Sequence, residues 1–365
     1  MLLNVNEKLF GPLWQFIEDE NVTDIKWNGS NLWISDLRKG KYMVYDGDSP
    51  MQLDSEFIKI FCSKVANSVN ENFNISSPSL KAETAELRVQ AEHNSVSGDD
   101  TIALAIRKTP NISRLDNGKT LEQQGYADKM TELLIPCLMR GHCSGIVTGD
   151  VGSGKTELEK YMAKFIPAVD GIVTVEDTLE LKLKILYPLK DVYSMRITDT
   201  YTNEMAIRDA LRLLTKWLII AESRGRDIAR VMEGASTGCC ALTSIHAENA
   251  WEIPDRIMNM VGDEARAGFE NDVFTFFDYA IKVKADITNS GIHRSIDQLC
   301  FFDRENGKNQ TIHFIEDGKW TGNQLPTKFV KRLANNKSDL DFATYEVPFI
   351  TYYRKALDSI SNKVQ

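Results

Sequence analysis

A glycine-rich segment at positions 149–156 has the residue types and spacing that bind a phosphate chain. It matches the pattern G-x-x-x-x-G-K-T and reads Gly149-Asp150-Val151-Gly152-Ser153-Gly154-Lys155-Thr156. In this pattern backbone N–H groups surround phosphate oxygens, the lysine reaches the β- and γ-phosphates, and the threonine hydroxyl binds Mg²⁺. The sequence therefore predicts a loop that binds ATP together with Mg²⁺.

The residues on either side of this loop fit the order strand, loop, helix. Ile146-Val147-Thr148 predicts a short buried strand, and Leu158, Met162 and Phe165 follow at helical spacing. The start of that helix would present unpaired N–H groups and a partial positive charge to the phosphates. A turn that matched the pattern by chance would not be expected to have a strand before it and a helix after it, so these flanks favour a phosphate-binding loop.

Two acidic residues follow predicted strands further along the chain and are candidate catalytic groups. Glu176 closes the apolar segment 172–175, and Glu222 closes the segment 218–221. Because parallel strands bring their carboxyl ends to one ligand-binding edge, we expect both carboxylates near the loop. Hydrolysis of a triphosphate needs one carboxylate to orient or deprotonate water and an acidic group near the metal. Without the loop, such residues are more often solvated caps.

One histidine and three arginines are further candidates. His246 follows the strand-like segment 241–245, where its imidazole would meet the γ-phosphate. Arginines from other parts of the chain or from a neighbouring subunit often complete phosphate sites, because one guanidinium group can bind two phosphate oxygens at once. The candidates, in two strands of the N-terminal region and just after the second acidic position, are Arg88, Arg107 and Arg224.

Length and composition predict two globular domains in the cytosol. The chain has 365 residues, 42% of them apolar and 26% charged, and no apolar run approaches the ~18 residues that span a bilayer. The first residues lack a secretory signal. The six cysteines show no metal-binding spacing and are expected in the core. A net charge of −9 disfavours coating of duplex DNA, so we expect no sequence-specific nucleic-acid binding.

Alternation of strands and helices predicts an α/β fold beyond the loop. Strand-like segments recur at 171–175, 193–197, 217–221 and 241–245, with helical patterns between several of them. This alternation predicts a largely parallel sheet with helices on both faces. A hairpin is expected around Asn306-Gly307, whereas the first 110 residues have a mixed α+β pattern that includes a helix over 9–17.

Four motifs in this order resemble those of the secretion ATPases of type II and type IV systems. They are Walker A at 149–156, an Asp box at 174–177, an atypical Walker B at 219–225, and a His box running from 237–238 to 244–247. The sequences of segments 176–181, 222–225 and 244–247 are most similar to the branch that contains VirB11 and CpaF. The tetracysteine insertion of many type II ATPases is absent, which favours the same branch.

The resemblance implies a RecA-like P-loop ATPase domain at 126–325, preceded by a smaller α+β (PAS-like) domain at 1–110 and a linker at 111–125, with a C-terminal extension at 326–365. It implies that Glu176 activates water, that Glu222 organises Mg²⁺, and that Arg88 and Arg107 clamp the triphosphate. It further implies a homo-hexameric ring at the cytosolic face of the membrane. An inner-membrane secretion or pilus platform protein is the expected partner.

Some positions depart from the family pattern, and two other functions stay open. Ala221 replaces a glycine, Cys239 replaces a histidine, and Leu214-Thr215-Lys216-Trp217 replaces an Arg-Pro-Asp sequence. None of these removes a predicted catalytic group. One alternative is a RecA-like nucleic-acid motor, which the negative net charge disfavours. The other is a nucleotide-gated assembly scaffold without turnover, which the presence of both glutamates disfavours.

Overall fold

The computed structural model describes residues 5–84, 86–223, 225, 227–262, 268–288, 291–335 and 340–361. Contacts divide the chain into two compact units. The first comprises Met1–Ile112 with Asp286–His293, and the second comprises Ser113–Ala285 with Arg294–Gln365.

The first unit is built on an antiparallel sheet. Its strands are β1 (Val22–Trp27), β2 (Leu32–Asp36), β3 (Gly40–Met43), β6 (Ser79–Glu83), β7 (Leu87–Glu92) and β8 (Ala103–Lys108), and a separate short ribbon is formed by β4 (Tyr45–Asp46) and β5 (Ser49–Pro50). The six strands lie in the order β3-β2-β1-β8-β7-β6. The strand β6 was not expected from the sequence.

Helices cover one face of this sheet. They are α1 (Glu7–Phe10), α2 (Trp14–Glu18) and α3 (Ser55–Ser68). The helix expected over 9–17 is present but divided, because a 3-10 turn at Gly11–Leu13 separates α1 from α2. Gly11 has φ +48°, and Pro12 cannot donate a helical hydrogen bond. On α3, Ile58, Phe61 and Val65 are buried at helical spacing and join the core of the unit.

The second unit contains a nine-stranded sheet. Its strands are β9 (Gly145–Thr148), β10 (Ile172–Glu176), β11 (Val192–Arg196), β12 (Trp217–Ile220), β13 (Cys240–Ser244), β14 (Tyr279–Thr288), β15 (Gly291–Glu305), β16 (Lys308–Glu316) and β17 (Lys319–Trp320). They lie in the order β11-β10-β12-β13-β9-β14-β15-β16-β17. The first six strands pair in parallel, and β15 to β17 pair antiparallel.

Helices pack on both faces of the large sheet. They are α4 (Lys129–Arg140), α5 (Lys155–Ala163), α6 (Leu183–Leu186), α7 (Asn203–Ala210), α8 (Asp227–Ser236), α9 (Ile253–Val261), α10 (Phe269–Phe276), α11 (Thr327–Asn335) and α12 (Leu340–Ser361). Successive residues of β12 alternate between two hydrophobic clusters, with Trp217 and Ile219 in one and Leu218 and Ile220 in the other. The predicted α/β class with a parallel sheet and helices on both faces is confirmed, as is the hairpin of β15 and β16.

The last forty residues, for which the sequence indicated no structure, contribute to the core. Phe329 of α11 and Phe349 of α12 are buried in the cluster that contains α4. Lys328 Nζ and Arg332 Nη2 lie 2.7 and 3.0 Å from Oδ1 of the buried Asp278. All six cysteines are buried and free, which confirms that they are core residues.

Candidate functional site

The glycine-rich loop connects β9 to α5 and has a backbone that only glycine adopts readily. Gly149, Gly152 and Gly154 have φ values of +143°, +78° and +100°. A Cβ atom at Gly149 would lie 2.2 Å from the carbonyl oxygen of Val283, so a side chain cannot fit there. The predicted order of strand, glycine loop and helix is confirmed.

The loop offers donors that fit a phosphate chain. Helix α5 starts at Lys155 after Gly154, which provides no side-chain cap for the first N–H groups. The Lys155 ammonium donates to the carbonyl oxygens of Gly149 and Asp150 at 2.8 and 3.1 Å. Burial lowers the pKa of Lys155, an effect that nearby Glu222 opposes. The buried Ser153 Oγ has no hydrogen-bond partner, so it too can serve a bound anion.

Glu222 and His246 meet at the same edge of the sheet as the loop. The Nδ1 atom of His246 lies 3.1 Å from the carbonyl oxygen of Gly149, and its Nε2 lies 3.5 Å from Oε1 of Glu222. A carbonyl can only accept, so Nδ1 carries the proton and Nε2 faces the carboxylate. Thr148 Oγ1 donates to the Ala247 carbonyl at 3.0 Å and accepts from the Ala247 N–H at 2.9 Å, which fixes the His246 segment to β9.

Glu176, at the end of β10, is almost fully buried and strongly hydrogen-bonded. Its Oε1 accepts from Thr174 Oγ1 at 2.9 Å, and its Oε2 accepts from the backbone N–H groups of Glu180 and Leu181, both at 2.8 Å. Burial raises the pKa of this carboxyl group, although the hydrogen bonds oppose the shift. Three of the four acceptor positions are in use, so one remains on Oε1.

The sequence interpretation missed Glu159, a second buried carboxyl group in this region. Glu159 lies on α5, one helical turn after Lys155, and is fully buried with no hydrogen-bond partner for either oxygen. Burial raises its pKa well above the usual value, and Glu176 adds to the shift. Glu159 follows Lys155 by four residues, so the sequence could have placed both on one face of the helix. Its burial could not be predicted in this way, because it depends on packing against the sheet.

Arg294 was also missed. Its Nε donates to the carbonyl oxygen of Gly152 at 3.0 Å, and a Cβ atom on Gly154 would lie 3.0 Å from its Cδ. Arg294 lies on β15, and β14 separates β15 from the loop strand β9. The strand β14 was not expected from the sequence. The contact could not be expected either, because it joins residues 142 positions apart.

The arginines of the first unit lie side by side. Arg88 on β7 is paired in register with Arg107 on β8, and Arg107 Nε lies 2.8 Å from Asp24 Oδ1. Arg224 lies outside the described residues. The roles predicted for these three arginines stay predictions.

The polar groups near the loop fit a metal held mainly by its substrate. Among the described residues, no group of three or more His, Cys, Asp or Glu side chains forms a metal site. Mg²⁺ commonly takes one or two protein ligands and completes its shell with phosphate oxygens and water. Thr156 at the start of α5 and the partly exposed Glu222 fit that arrangement.

A parallel sheet with a glycine loop and a lysine at the carboxyl end of a strand defines a P-loop nucleotide-binding protein. A model of the family described as "Type II/IV secretion system protein" matches residues 79–324, more than half of the chain. The chain belongs to this family, as its four motifs predicted.

One relative and two solved structures are similar to this chain. The chain is 26% identical over 301 residues to an uncharacterized protein of Bacillus anthracis, a match that covers 80% of this chain and 66% of that protein. It resembles the Legionella pneumophila ATPase DotB (TM-score 0.63, 17% identity, 93% of this chain and 90% of that chain). It also resembles the pilus retraction motor PilT with bound ADP (TM-score 0.59, 18% identity, 82% and 83%). At these identities the structural likeness shows the fold alone.

Proposed function

We propose that this protein is a Mg²⁺-dependent ATPase that works as a homo-hexameric ring. It would power macromolecular secretion, conjugative transfer or pilus assembly from the cytosolic face of the membrane. The observation that carries the proposal is the meeting of Lys155, Glu222 and His246 at one edge of the sheet, where the P-loop opens. An ATPase needs a phosphate cradle, a metal-organising carboxylate and a group near the γ-phosphate at one place.

The residues of the site divide the work of hydrolysis. Lys155 and the first N–H groups of α5 would hold the β- and γ-phosphates of the substrate. Glu176 would take the proton of the attacking water at its remaining acceptor position on Oε1, and its raised pKa makes it a stronger base than an ordinary carboxylate. Bound Mg²⁺ would neutralise phosphate charge, with Thr156 and Glu222 as its protein contacts.

Charge balance supports a role for further arginines. A triphosphate brings about four negative charges, and Lys155 is the only cation among the eight loop residues. Arg88, Arg107 and Arg224 are the candidates that would complete the site. We propose that this contribution depends on assembly of the ring, in which case turnover depends on the concentration of the protein.

Partners and location follow from the family. Similar proteins act with secretion and pilus systems, so we propose an inner-membrane platform protein as the partner. Within the described residues, no helix has both the length and the apolar content needed to cross a bilayer. Independently of that finding, we propose from the family that the protein attaches peripherally to the cytosolic face of the membrane.

The test is Mg²⁺-ATP turnover per chain as a function of protein concentration, beside the oligomeric state from light scattering. A rate that rises as rings form and disappears in Glu222→Gln supports a ring-forming ATPase. Glu233→Gln, an exposed glutamate of α8, is the matched control and should keep full turnover.

Two results would contradict the proposal. Full turnover in Glu222→Gln would reject the assigned site. The second result is that the unchanged protein binds ATP, loses that binding in Lys155→Ala, and shows no turnover at any concentration. That result would indicate a nucleotide-gated scaffold.

A further inference from the structure

Three aliphatic side chains at the edge opposite the P-loop are almost completely exposed. Val169, Leu189 and Leu214 have 90%, 92% and 95% of their surface accessible. They are the three most exposed large hydrophobic residues among those that the structure describes. Single exposed apolar residues are normal on protein surfaces, but a group of them marks an interaction site.

The strand register brings these residues into one row. Ile172, the first residue of β10, is aligned with Val192 at the start of β11 and with Trp217 at the start of β12. Each exposed residue lies three positions before the aligned start of its strand. Since neighbouring strands lie about 4.8 Å apart, the three connections present apolar side chains along the amino-terminal edge of three adjacent strands.

Hydrogen bonds hold the three connections in place. The N–H of Ile172 donates to the carbonyl oxygen of Asp191 at 2.8 Å, and the N–H of Lys216 donates to that of Gly171 at 2.9 Å. A Cβ atom on Gly171 would lie 3.1 Å from the carbonyl oxygen of Leu214. The exposed residues are therefore carried on a fixed backbone.

Leu214 is the most unusual member of the row. Its φ of +54° is a left-handed conformation that is uncommon for a bulky residue. The preceding Leu213 is 49% exposed, and Ile185 on α6 is 55% exposed. Leu214 begins the segment that replaces the Arg-Pro-Asp sequence of similar proteins, so this exposed leucine belongs to the departure from the family pattern.

Positive charge accompanies the apolar row. Segments 164–171, 182–191 and 211–216 contain six lysines and arginines but only two aspartates, whereas the whole chain has a net charge of −9. Lys184 and Arg212 are exposed beside Ile185 and Leu213. Two of the six pair with acids outside these segments, Lys164 with Asp116 and Arg212 with Asp209. The excess of cations that remains complements an anionic surface.

We propose that this edge, which we call the leucine edge (Val169, Ile185, Leu189, Leu213 and Leu214), docks on an anionic lipid surface. Side chains exposed by nine-tenths project outward and do not line a groove, so they suit insertion into the interface of a bilayer. Cations beside them would attract acidic headgroups. The inference deepens the proposed function by naming the surface that holds the ATPase at the membrane.

The experiment is flotation of the full chain with vesicles of phosphatidylcholine alone or with 30% phosphatidylglycerol. We expect binding to the anionic vesicles that weakens as salt is added. The double variant Leu189→Asn/Leu214→Asn should bind these vesicles at least about tenfold more weakly, because two apolar side chains no longer enter the interface. Lys184→Glu/Arg212→Glu should weaken binding and its salt dependence.

Ile75→Asn is the matched control, because Ile75 is 78% exposed in the first unit. It should float as the unchanged protein does. All variants should bind ADP equally, since none of the changed residues belongs to the P-loop edge, so loss of ADP binding would concern the proposed function and not this surface.

Three outcomes would overturn the proposal. One is absence of flotation with anionic vesicles, and another is equal flotation of the double leucine variant. The third is loss of self-association in that variant without lipid, which would assign the leucine edge to a second copy of the chain.

Discussion

Arg294 Nε lies 3.0 Å from the carbonyl oxygen of Gly152 in the phosphate loop. The guanidinium group thereby fixes the orientation of a peptide plane within the loop. The aliphatic part of Arg294 also lies over Gly154, where a Cβ atom would be 3.0 Å from its Cδ. A strand two places from β9 thus contacts the loop at two of its glycines.

Arg294→Ala should weaken ADP binding about tenfold, because a charged hydrogen bond of this kind contributes about 1.5–3 kcal/mol. Arg294→Lys should recover only part of the affinity, since an ammonium group lacks the planar geometry of guanidinium. Calorimetric titration with ADP gives the affinities. Arg304→Ala on the same strand, where Arg304 contacts Asn271 and Asn309, should bind ADP normally. Equal affinity of Arg294→Ala and the unchanged protein would remove this residue from the site.

Glu159 should make the fold less stable as the pH rises. Its pKa in the folded state is raised well above 4.5, so the folded protein keeps a proton that the unfolded chain releases. Stability is therefore unaffected by this group below about pH 4.5 and decreases above it, until the folded pKa is reached.

Glu159→Gln removes this titration, so its melting temperature should fall less between pH 5 and pH 8 than that of the unchanged protein. Differential scanning calorimetry at both values gives the comparison. Glu233→Gln is the control, because that side chain is 64% exposed and should leave the pH dependence unchanged. An identical pH dependence in Glu159→Gln would mean that Glu159 is ionised in the fold.

Glu176→Gln should bind ATP but lose most of its turnover, since an amide cannot take a proton from water. It should also lose about 1 kcal/mol of stability, because the amide oxygen can accept from the two backbone N–H groups but the amide nitrogen cannot accept from Thr174 Oγ1. Single-turnover kinetics and chemical denaturation measure the two effects. Glu233→Gln, an exposed glutamate of α8 outside the four motifs, is the control. Stability loss with full turnover would make Glu176 a structural residue only.

Arg107→Ala should reduce turnover by about tenfold or more in assembled rings and much less in monomers. Its stability should change by less than about 0.5 kcal/mol, because the pair with Asp24 is largely exposed. Arg88→Ala should behave similarly, as Arg88 lies opposite Arg107. Lys26→Ala, an exposed cation on β1, is the control. The measurement is the ATP turnover rate above and below the concentration at which rings form. An equal loss of turnover in rings and in monomers would contradict a role that depends on the ring.

The amino-acid sequence by itself determined the local chemistry of the site. The eight loop residues with an apolar strand before them and a helical pattern after them predicted a P-loop, because its geometry depends on neighbours in the chain. Glu222 and His246 could also be predicted from the sequence, since each follows a predicted strand whose carboxyl end lies at the ligand edge. Their contact at 3.5 Å agrees with that reasoning.

Only the tertiary structure decided which distant residues reach the loop and which charges lose contact with water. Arg294 reaches Gly152 because β14 and β15 extend the sheet beyond β9, an order that no local pattern encodes. Glu159 appears as an ordinary helical glutamate in the sequence, yet the sheet buries it completely. Val169, Leu189 and Leu214 carry no local pattern that marks them as exposed, and only the strand register places them along one edge. Burial and long-range contact depend on strand order, which is a property of the whole chain.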